Sequence, residues 1–384
     1  MNRMNAVKFS LLTLLIFLAP LLLHTGCRTD ANEITIGVLF PMSGDAGSYG
    51  ERGRNGIELA AREINERGGI RGKKVRVIYE DSRADPKTGV SAMTKLATVD
   101  KVPVVIGDIV SAVTLAAAPI AESNKIVLLS PTSSAPAISQ AGDYIFRTWP
   151  SDLAEGKAIA TFAYQYGFKK VGILYMQNEY GVAIQDIFTK TLTGLGGQVT
   201  ESLGYKPDES DFRSYLSKLA ASKPDAIYLV SYYKDGAFAM KQARELGIQL
   251  QFLATTAIED QKIFEVAGSA AEGVIYPLAT GYDQQSADDA VKQFRSRYNE
   301  LYKSEPDWVP AQSYDALMLV ANVMEKAGFS GPEIQREMAQ VKGFRGVTGE
   351  ISFDDNGDVI KPVVIKVVRN GSFQKFQERA QAAY

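Results

Sequence analysis

The sequence predicts an α/β protein of two lobes, each a parallel sheet with helices on both faces. Two short runs rich in β-branched residues, 102–106 and 126–129, have the composition of strands buried on both faces, and an Ala-rich helical stretch separates them. The same alternation reaches back to Glu33 and starts afresh after Arg147-Thr148-Trp149-Pro150-Ser151-Asp152. Strand–helix–strand repeats of this kind assemble into parallel sheets. At 384 residues the chain has room for two cores, since a domain usually holds about 100–150 residues.

The first strand is read at 33–40 (EITIGVLF) and ends at Pro41-Met42-Ser43-Gly44. A helix from about Tyr49 puts Ile57, Ala60, Ala61 and Ile64 on one face and stops at Gly68-Gly69, residues suited to positive φ. After a strand at 74–80, Asp85 caps a helix whose first position is Pro86 and whose inner face carries Val90, Met93 and Ala97. Gly107-Asp108-Ile109-Val110 then turns the chain, Ser111 opens the Ala-rich helix to about Ser123, and the strand at 126–129 empties into Ser130-Pro131-Thr132-Ser133-Ser134. In the second run, helices at 153–166, 180–195, 212–221 and 236–246 alternate with strands at 170–175, 199–203, 226–230 and 252–254, and a further strand lies at 273–277. Beyond Ala279-Thr280-Gly281-Tyr282 the expectation is helices at 287–303, 311–327 and 332–341. Segments 349–353 and 362–368 read as paired strands about Asp354-Asp355-Asn356-Gly357-Asp358, because Asn-Gly signals a type I′ hairpin. That spacing also begins like a calcium loop, but Val359 stands where such a loop needs glycine and no glutamate closes it. A bare turn is the reading, and no metal or cofactor is expected.

The N-terminus has the pattern of a targeting segment. Arg3 and Lys8 precede an apolar run at 9–23 that is too short and too interrupted for a spanning helix. It ends in Leu23-His24-Thr25-Gly26-Cys27, similar to a bacterial lipoprotein signal in which Cys27 becomes the acylated first residue; His24 occupies a place where that pattern prefers leucine. Residues 1–26 are therefore set apart from the fold. His24 and Cys27 are the chain's one histidine and one cysteine. A processed chain would lack the parts for Ser–His or Cys–His nucleophiles and for His/Cys zinc sites, which argues against an enzyme. The net charge of −2, with no dense Lys/Arg run, gives no nucleic-acid footprint.

Two successive strands thus bring hydroxyls and free backbone N–H groups to one carboxyl edge of a sheet, where open α/β folds bind ligands. The helix start at Ser111 adds unpaired donors and the positive end of the helix dipole, which suits a carboxylate. The residues offer a site for a small anion or zwitterion. Ser111 could also cap its own helix, and Ser/Thr/Pro loops can be turns and nothing more. Gly44-x-x-Gly47-x-x-Gly50 lacks the spacing of a dinucleotide site, and no Walker lysine follows it.

Several segments coincide with one family. GVLFPMSGDAGSYGERGRNGIELAAREINERGGIRGKKVRVIYEDSRADP, VIGDIVSAVTLAAAPIAESNKIVLLSPTSSAP, ILYMQNEYG and SYDAL, in that order, resemble the leucine/isoleucine/valine-binding type of periplasmic solute-binding protein, which serves ABC importers. The resemblance covers nearly the whole chain after the leader. It implies two Rossmann-like lobes joined by a three-crossover hinge near 148–152, 279–282 and 352–355, in the manner of a Venus flytrap. One lobe would comprise 33–150 with 282–353, the other 151–281 with 354–384. It implies that Ser111 holds a ligand carboxylate beside the backbone of Ile109 and Val110. Thr132 would offer a carbonyl to the ligand ammonium and Ser134 a hydroxyl; Tyr49 would be the aromatic of the first loop, and Tyr180 and Tyr232 the second-lobe tyrosines. Thr256 falls where amino-acid binders carry a glutamate for the ammonium, so either another acid substitutes (Glu259, Asp260, Asp235 and Asp283 are candidates) or the ligand lacks the amine. Ala84 and Val110 occupy the places of a disulfide found in some relatives. The function implied is that of an exported, monomeric binding protein that delivers a small carboxylate ligand to ABC permease subunits. A sensory module built on the same lobes is the first alternative. A hydrolase using paired acids is the second, although Glu80-Asp81 and Asp354-Asp355 are adjacent pairs and do not make a dyad.

Overall fold

The computed structural model describes residues 32–377. The expected leader at 1–26 and the acylation site Cys27 lie outside the described residues.

The elements run β1 (Glu33–Phe40), α1 (Gly47–Glu66), β2 (Lys74–Asp81), α2 (Pro86–Thr98), β3 (Val104–Gly107), α3 (Ser111–Asn124), β4 (Val127–Ser130) and β5 (Ile145–Arg147). They continue with α4 (Asp152–Gln165), β6 (Lys170–Met176), α5 (Glu179–Gly194), β7 (Gln198–Tyr205), α6 (Arg213–Ala221), β8 (Ala226–Val230), α7 (Tyr233–Glu245), β9 (Gln251–Ala254), α8 (Ile263–Ala267) and β10 (Ile275–Leu278). The last part holds α9 (Asp289–Tyr302), α10 (Trp308–Ala327), α11 (Gly331–Met338), β11 (Phe344–Gly346), β12 (Gly349–Ile351), β13 (Val364–Arg369) and β14 (Ser372–Lys375).

Two sheets result. The first has the order β2-β1-β3-β4-β5 and is parallel throughout. The second has the order β14-β13-β10-β9-β8-β6-β7, parallel from β7 to β10 with β13 and β14 antiparallel at the far edge. Within each lobe the parallel strands repeat one order, in which the second strand flanks the first and the third lies on its other side. The strand order reverses beside β1 in one lobe and beside β6 in the other, and crevices for ligands form outside the strand ends at such points. Each βα corner that forms the site below leaves one of these strands. The two-lobed α/β architecture expected from the sequence is the one observed.

Local chemistry explains the boundaries. Asp85 caps α2, its carboxylate accepting from the Thr88 N–H at 2.8 Å, and Pro86 follows in the first turn, where a missing N–H costs nothing. Helix α10 begins three residues before the expected Ala311, because Pro310 lies in its first turn and Asp307 caps it through the Val309 N–H at 2.9 Å. Helix α7 likewise starts at Tyr233 rather than Gly236.

The expected hairpin across 349–368 is a correction. β12 pairs with β11, and β13 pairs with β10 and β14 in the other sheet. The Asn-Gly turn is present, with the Gly357 N–H on the Asp354 carbonyl at 3.1 Å, but it extends to a single bridge, Phe353 with Val359. The turn lies against β5, whose Arg147 N–H donates to the Gly357 carbonyl. A Cβ at Gly357, where φ is +74°, would stand 2.7 Å from the Ile145 carbonyl oxygen, so the close approach requires glycine. Arg147 is fully buried and grips Asp358 with two hydrogen bonds at 2.6 and 2.7 Å. These contacts, and Val359 in the first core, place 354–359 with the first lobe.

Candidate functional site

The site is assembled from βα corners of both lobes. From the first lobe, Tyr49 sits in the first turn of α1, close to where the sequence placed the helix start. Ile109 and Val110 follow β3, with Val110 as the N-cap of α3, and Ser111 is the first helical residue. Ser111 thus does not cap its own helix. Its hydroxyl oxygen accepts from the N–H groups of Ser134 at 3.1 Å and Ala135 at 3.2 Å, which ties the corner after β4 to the corner after β3. With its lone pairs used in this way, the Ser111 O–H keeps a proton to donate elsewhere. The Thr132 hydroxyl donates to the Ile109 carbonyl at 3.2 Å, a second tie between the same corners. The N–H groups of Ser111 and Ala112 lie in the first turn of α3, where no intrahelical acceptor exists, and the helix dipole is positive there.

From the second lobe come Tyr180 in the first turn of α5, Tyr232 as the N-cap of α7, and Thr256 just after β9. Tyr180 and Tyr232 stack with ring centroids 6.0 Å apart at 11°, and Tyr49 meets Tyr232 edge-on at 6.0 Å. The Tyr49 hydroxyl accepts from the Tyr233 N–H at 3.1 Å and donates to the Ala257 carbonyl, so a first-lobe side chain is locked onto second-lobe backbone. Arg52 with Asp260 at 2.9 Å and Lys234 with Asp45 add ion pairs across the same interface.

All nine residues expected at the site line one cavity: Tyr49, Ile109, Val110, Ser111, Thr132, Ser134, Tyr180, Tyr232 and Thr256. The cavity opens toward a larger groove between the lobes, with Val110 and Tyr232 lining both. Four further residues complete the wall: Trp149, Trp308, Ala257 and Glu155. The two indoles pack on each other at 4.8 Å.

Glu155 is the residue that sequence reasoning missed. It lies in the first turn of α4, directly after the first crossover, and is 3% exposed. Acids in a first helical turn ordinarily complement the dipole, so nothing local marks this one as special. The usable signal was its position on the helix that leaves the hinge. Its two oxygens accept from the Thr256 N–H at 2.8 Å and the Thr256 hydroxyl at 2.9 Å. Burial pushes its pKa up to about 7, against the lowering effect of those two bonds. Asp152, one turn earlier, is fully buried, and neither of its oxygens has a hydrogen-bond partner. Burial first, and the charge of Glu155 second, hold its pKa well above the usual carboxylate range.

The four acids considered from sequence as substitutes at position 256 do not line the cavity. Glu259 accepts from Tyr276 and pairs with Lys366, Asp260 pairs with Arg52, Asp235 accepts from Tyr205, and Asp283 pairs with Lys375. Each is already engaged elsewhere, and the acid of the cavity is Glu155.

Two α/β lobes with switch points facing one another across a polar, aromatic-walled cavity define a two-lobed solute-binding protein. Sequence comparison agrees: the model of the periplasmic binding protein family matches residues 33–372, and the chain belongs to that family, whose members bind solutes and are not enzymes. The leucine-, isoleucine-, valine-, threonine- and alanine-binding protein of Pseudomonas aeruginosa is 28% identical over 333 residues, 86% of this chain and 88% of that one. Among solved structures, a leucine binding protein from Thermotoga maritima superposes with a TM-score of 0.85 at 32% identity, covering 90% of this chain and 98% of the other. A solute binding protein of an ABC transporter from Rhodopseudomonas palustris, solved with 3,4-dihydroxybenzoic acid, superposes with a TM-score of 0.80 at 26% identity, covering 90% and 96%.

Proposed function

We propose that this protein captures a small carboxylate-bearing solute between its lobes and delivers it to the membrane subunits of an ABC importer. The observation that carries the reading is the single cavity lined by all nine expected residues, drawn from six corners of two lobes. The carboxylate is held by the Ser111 hydroxyl, the Ser134 hydroxyl and the first-turn N–H groups of α3. Tyr180 and Tyr232 close over the solute from the second lobe, while Tyr49, already bonded across the interface, seals the side. A ligand touching both lobes favours the closed state by the difference in its affinity for the two states. The relatives named above bind leucine, isoleucine, valine, threonine and alanine or were solved with an aromatic acid, and both kinds of carboxylate suit a wall with two indoles and aliphatic groups.

In the cell the protein works outside the cytoplasm as a monomer, tethered through an acylated Cys27. Exchange of Cys27 for serine releases a tethered protein into the soluble fraction; an unchanged distribution removes the anchor from the proposal. For the site itself, a thermal-shift screen over amino acids, oxo acids and aromatic acids identifies the ligand, because binding to the folded state raises the melting temperature. Ser111→Ala then weakens that ligand by about 1–3 kcal/mol, the worth of a hydrogen bond to a charged group. Equal calorimetric affinity in the two proteins removes Ser111 from the role given to it.

A further inference from the structure

A pocket built only for a carboxylate has no use for a second carboxylate in its wall. Glu155 is such a group: it is buried, it lines the cavity, and among the described residues it forms no ion pair. The ionisable group beside it is Asp152, another acid, which supplies no positive charge to compensate it. Resting on the binding reading above, we infer that the ligand carries an ammonium group as well as a carboxylate, and that Glu155, positioned by Thr256, is the acceptor for that ammonium.

Thr256 is suited to hold Glu155 in either charge state. Its hydroxyl has one proton and two neighbours that can accept it, a Glu155 oxygen at 2.9 Å and the Pro277 carbonyl at 2.8 Å. When Glu155 carries a proton, its own O–H donates to the Thr256 oxygen and Thr256 donates to Pro277, so every polar group is satisfied without a counter-charge. When Glu155 is ionised, the Thr256 proton turns to it, the Thr256 N–H holds the other oxygen, and the remaining lone pairs serve a cation in the cavity. An ammonium entering the site converts the first arrangement into the second. The proton leaves Glu155 for solvent, and an ammonium N–H donates to the carboxylate it vacates. Burial that keeps Glu155 protonated in the empty protein makes this release measurable near neutral pH. Beside the phenols of Tyr49, Tyr180 and Tyr232, the residues Trp149, Trp308, Ile109, Val110 and Ala257 add hydrocarbon and indole surface, which suits an α-amino acid whose side chain is largely apolar.

The experiment compares matched acids with and without the amine: L-leucine with 4-methylpentanoate, and L-phenylalanine with 3-phenylpropanoate. Calorimetric titration uses the wild-type protein, Glu155→Gln and Ser111→Ala. At least one amino acid binds the wild type, and its deaminated partner binds roughly 10–100-fold more weakly. Glu155→Gln loses a similar factor for the amino acid alone, whereas Ser111→Ala weakens both members of the pair. Titration at about pH 6 in buffers of different ionisation enthalpy shows release of up to about one proton per amino acid bound to the wild type, and little with Glu155→Gln. A deaminated acid that binds as tightly as its amino acid overturns the ammonium assignment and leaves the carboxylate cleft standing. Binding of neither pair, with no change in melting temperature, overturns both.

Discussion

The first-lobe wall of the cavity is made of donors: the Ser111 and Ser134 hydroxyls, and amides at the positive end of α3. The wall opposite centres on an acceptor, Glu155, clamped by Thr256. The donor wall is local in the chain, since residues 109–134 span two consecutive βα corners and Ser111 itself bridges them. The acceptor wall joins groups 101 residues apart, one on the hinge helix and one beyond β9. Donors at a helix start follow from backbone geometry, and a short sequence motif suffices to specify them. A buried acid draws its meaning from what surrounds it, and its surroundings here come from both lobes.

That contrast can be broken most sharply beneath the donor wall. Arg147 is fully buried, bonds Asp358 and also donates to the Ala135 carbonyl at 3.0 Å, at the end of the Ser134 corner. Asp358→Asn leaves the guanidinium without its charge partner and lowers stability by about 3–5 kcal/mol in denaturant unfolding, the cost typical of breaking a buried pair. A loss under about 1 kcal/mol would show the pair to be as dispensable as one on the surface.

On the acceptor side, Thr256→Val removes the hydroxyl but keeps the backbone N–H on Glu155. Amino-acid affinity falls by about 1–2 kcal/mol in calorimetry while that of the deaminated acid is retained. Equal losses for the two would make Thr256 part of the general packing.

The acceptor wall also predicts a pH dependence. A buried carboxyl whose folded pKa lies above its unfolded value binds more protons in the folded state, so stability falls as pH rises between the two values. For Glu155 the window runs from the ordinary glutamate value of 4.5 to about 7. Thr256, Asp152, Tyr180 and Tyr228 are the groups that act on it or respond to its charge, and Asp108 and Asp235, also raised to about 7, contribute in the same direction. The ligand-free wild type therefore melts at progressively lower temperature across this window. Its difference from Glu155→Gln shrinks or reverses toward the upper end; a constant offset between the two curves would deny Glu155 a raised pKa. Saturating amino acid opposes the fall, because it binds the ionised form.

The smallest effect belongs to the seal between the walls. Tyr49→Phe keeps the ring against Tyr232 and loses the hydroxyl bonds to Tyr233 and Ala257. It weakens binding by about 0.5–1.5 kcal/mol through the closed state alone, seen as a faster dissociation rate in stopped-flow measurements. An unchanged rate would place the seal elsewhere, with Arg52–Asp260 as the next candidate.

What the sequence determined by itself was the alternation of strands and helices, the family, and the residues of the donor wall. The first rests on periodicity, the second on the order of four segments along the chain, and the third on two neighbouring corners within about thirty residues. The short strands β5 and β14 were not legible, because three or four residues carry too little pattern to rise above a loop. The Asn-Gly turn was read as a hairpin that does not form, since only the packed lobe decides whether the flanking strands pair with each other or with separate sheets. Tertiary structure alone also put Glu155 into the cavity, in place of four acids that looked as plausible in one dimension. Burial and pairing are properties of a folded neighbourhood, and a carboxylate becomes a ligand site only where the fold has removed water without supplying a cation.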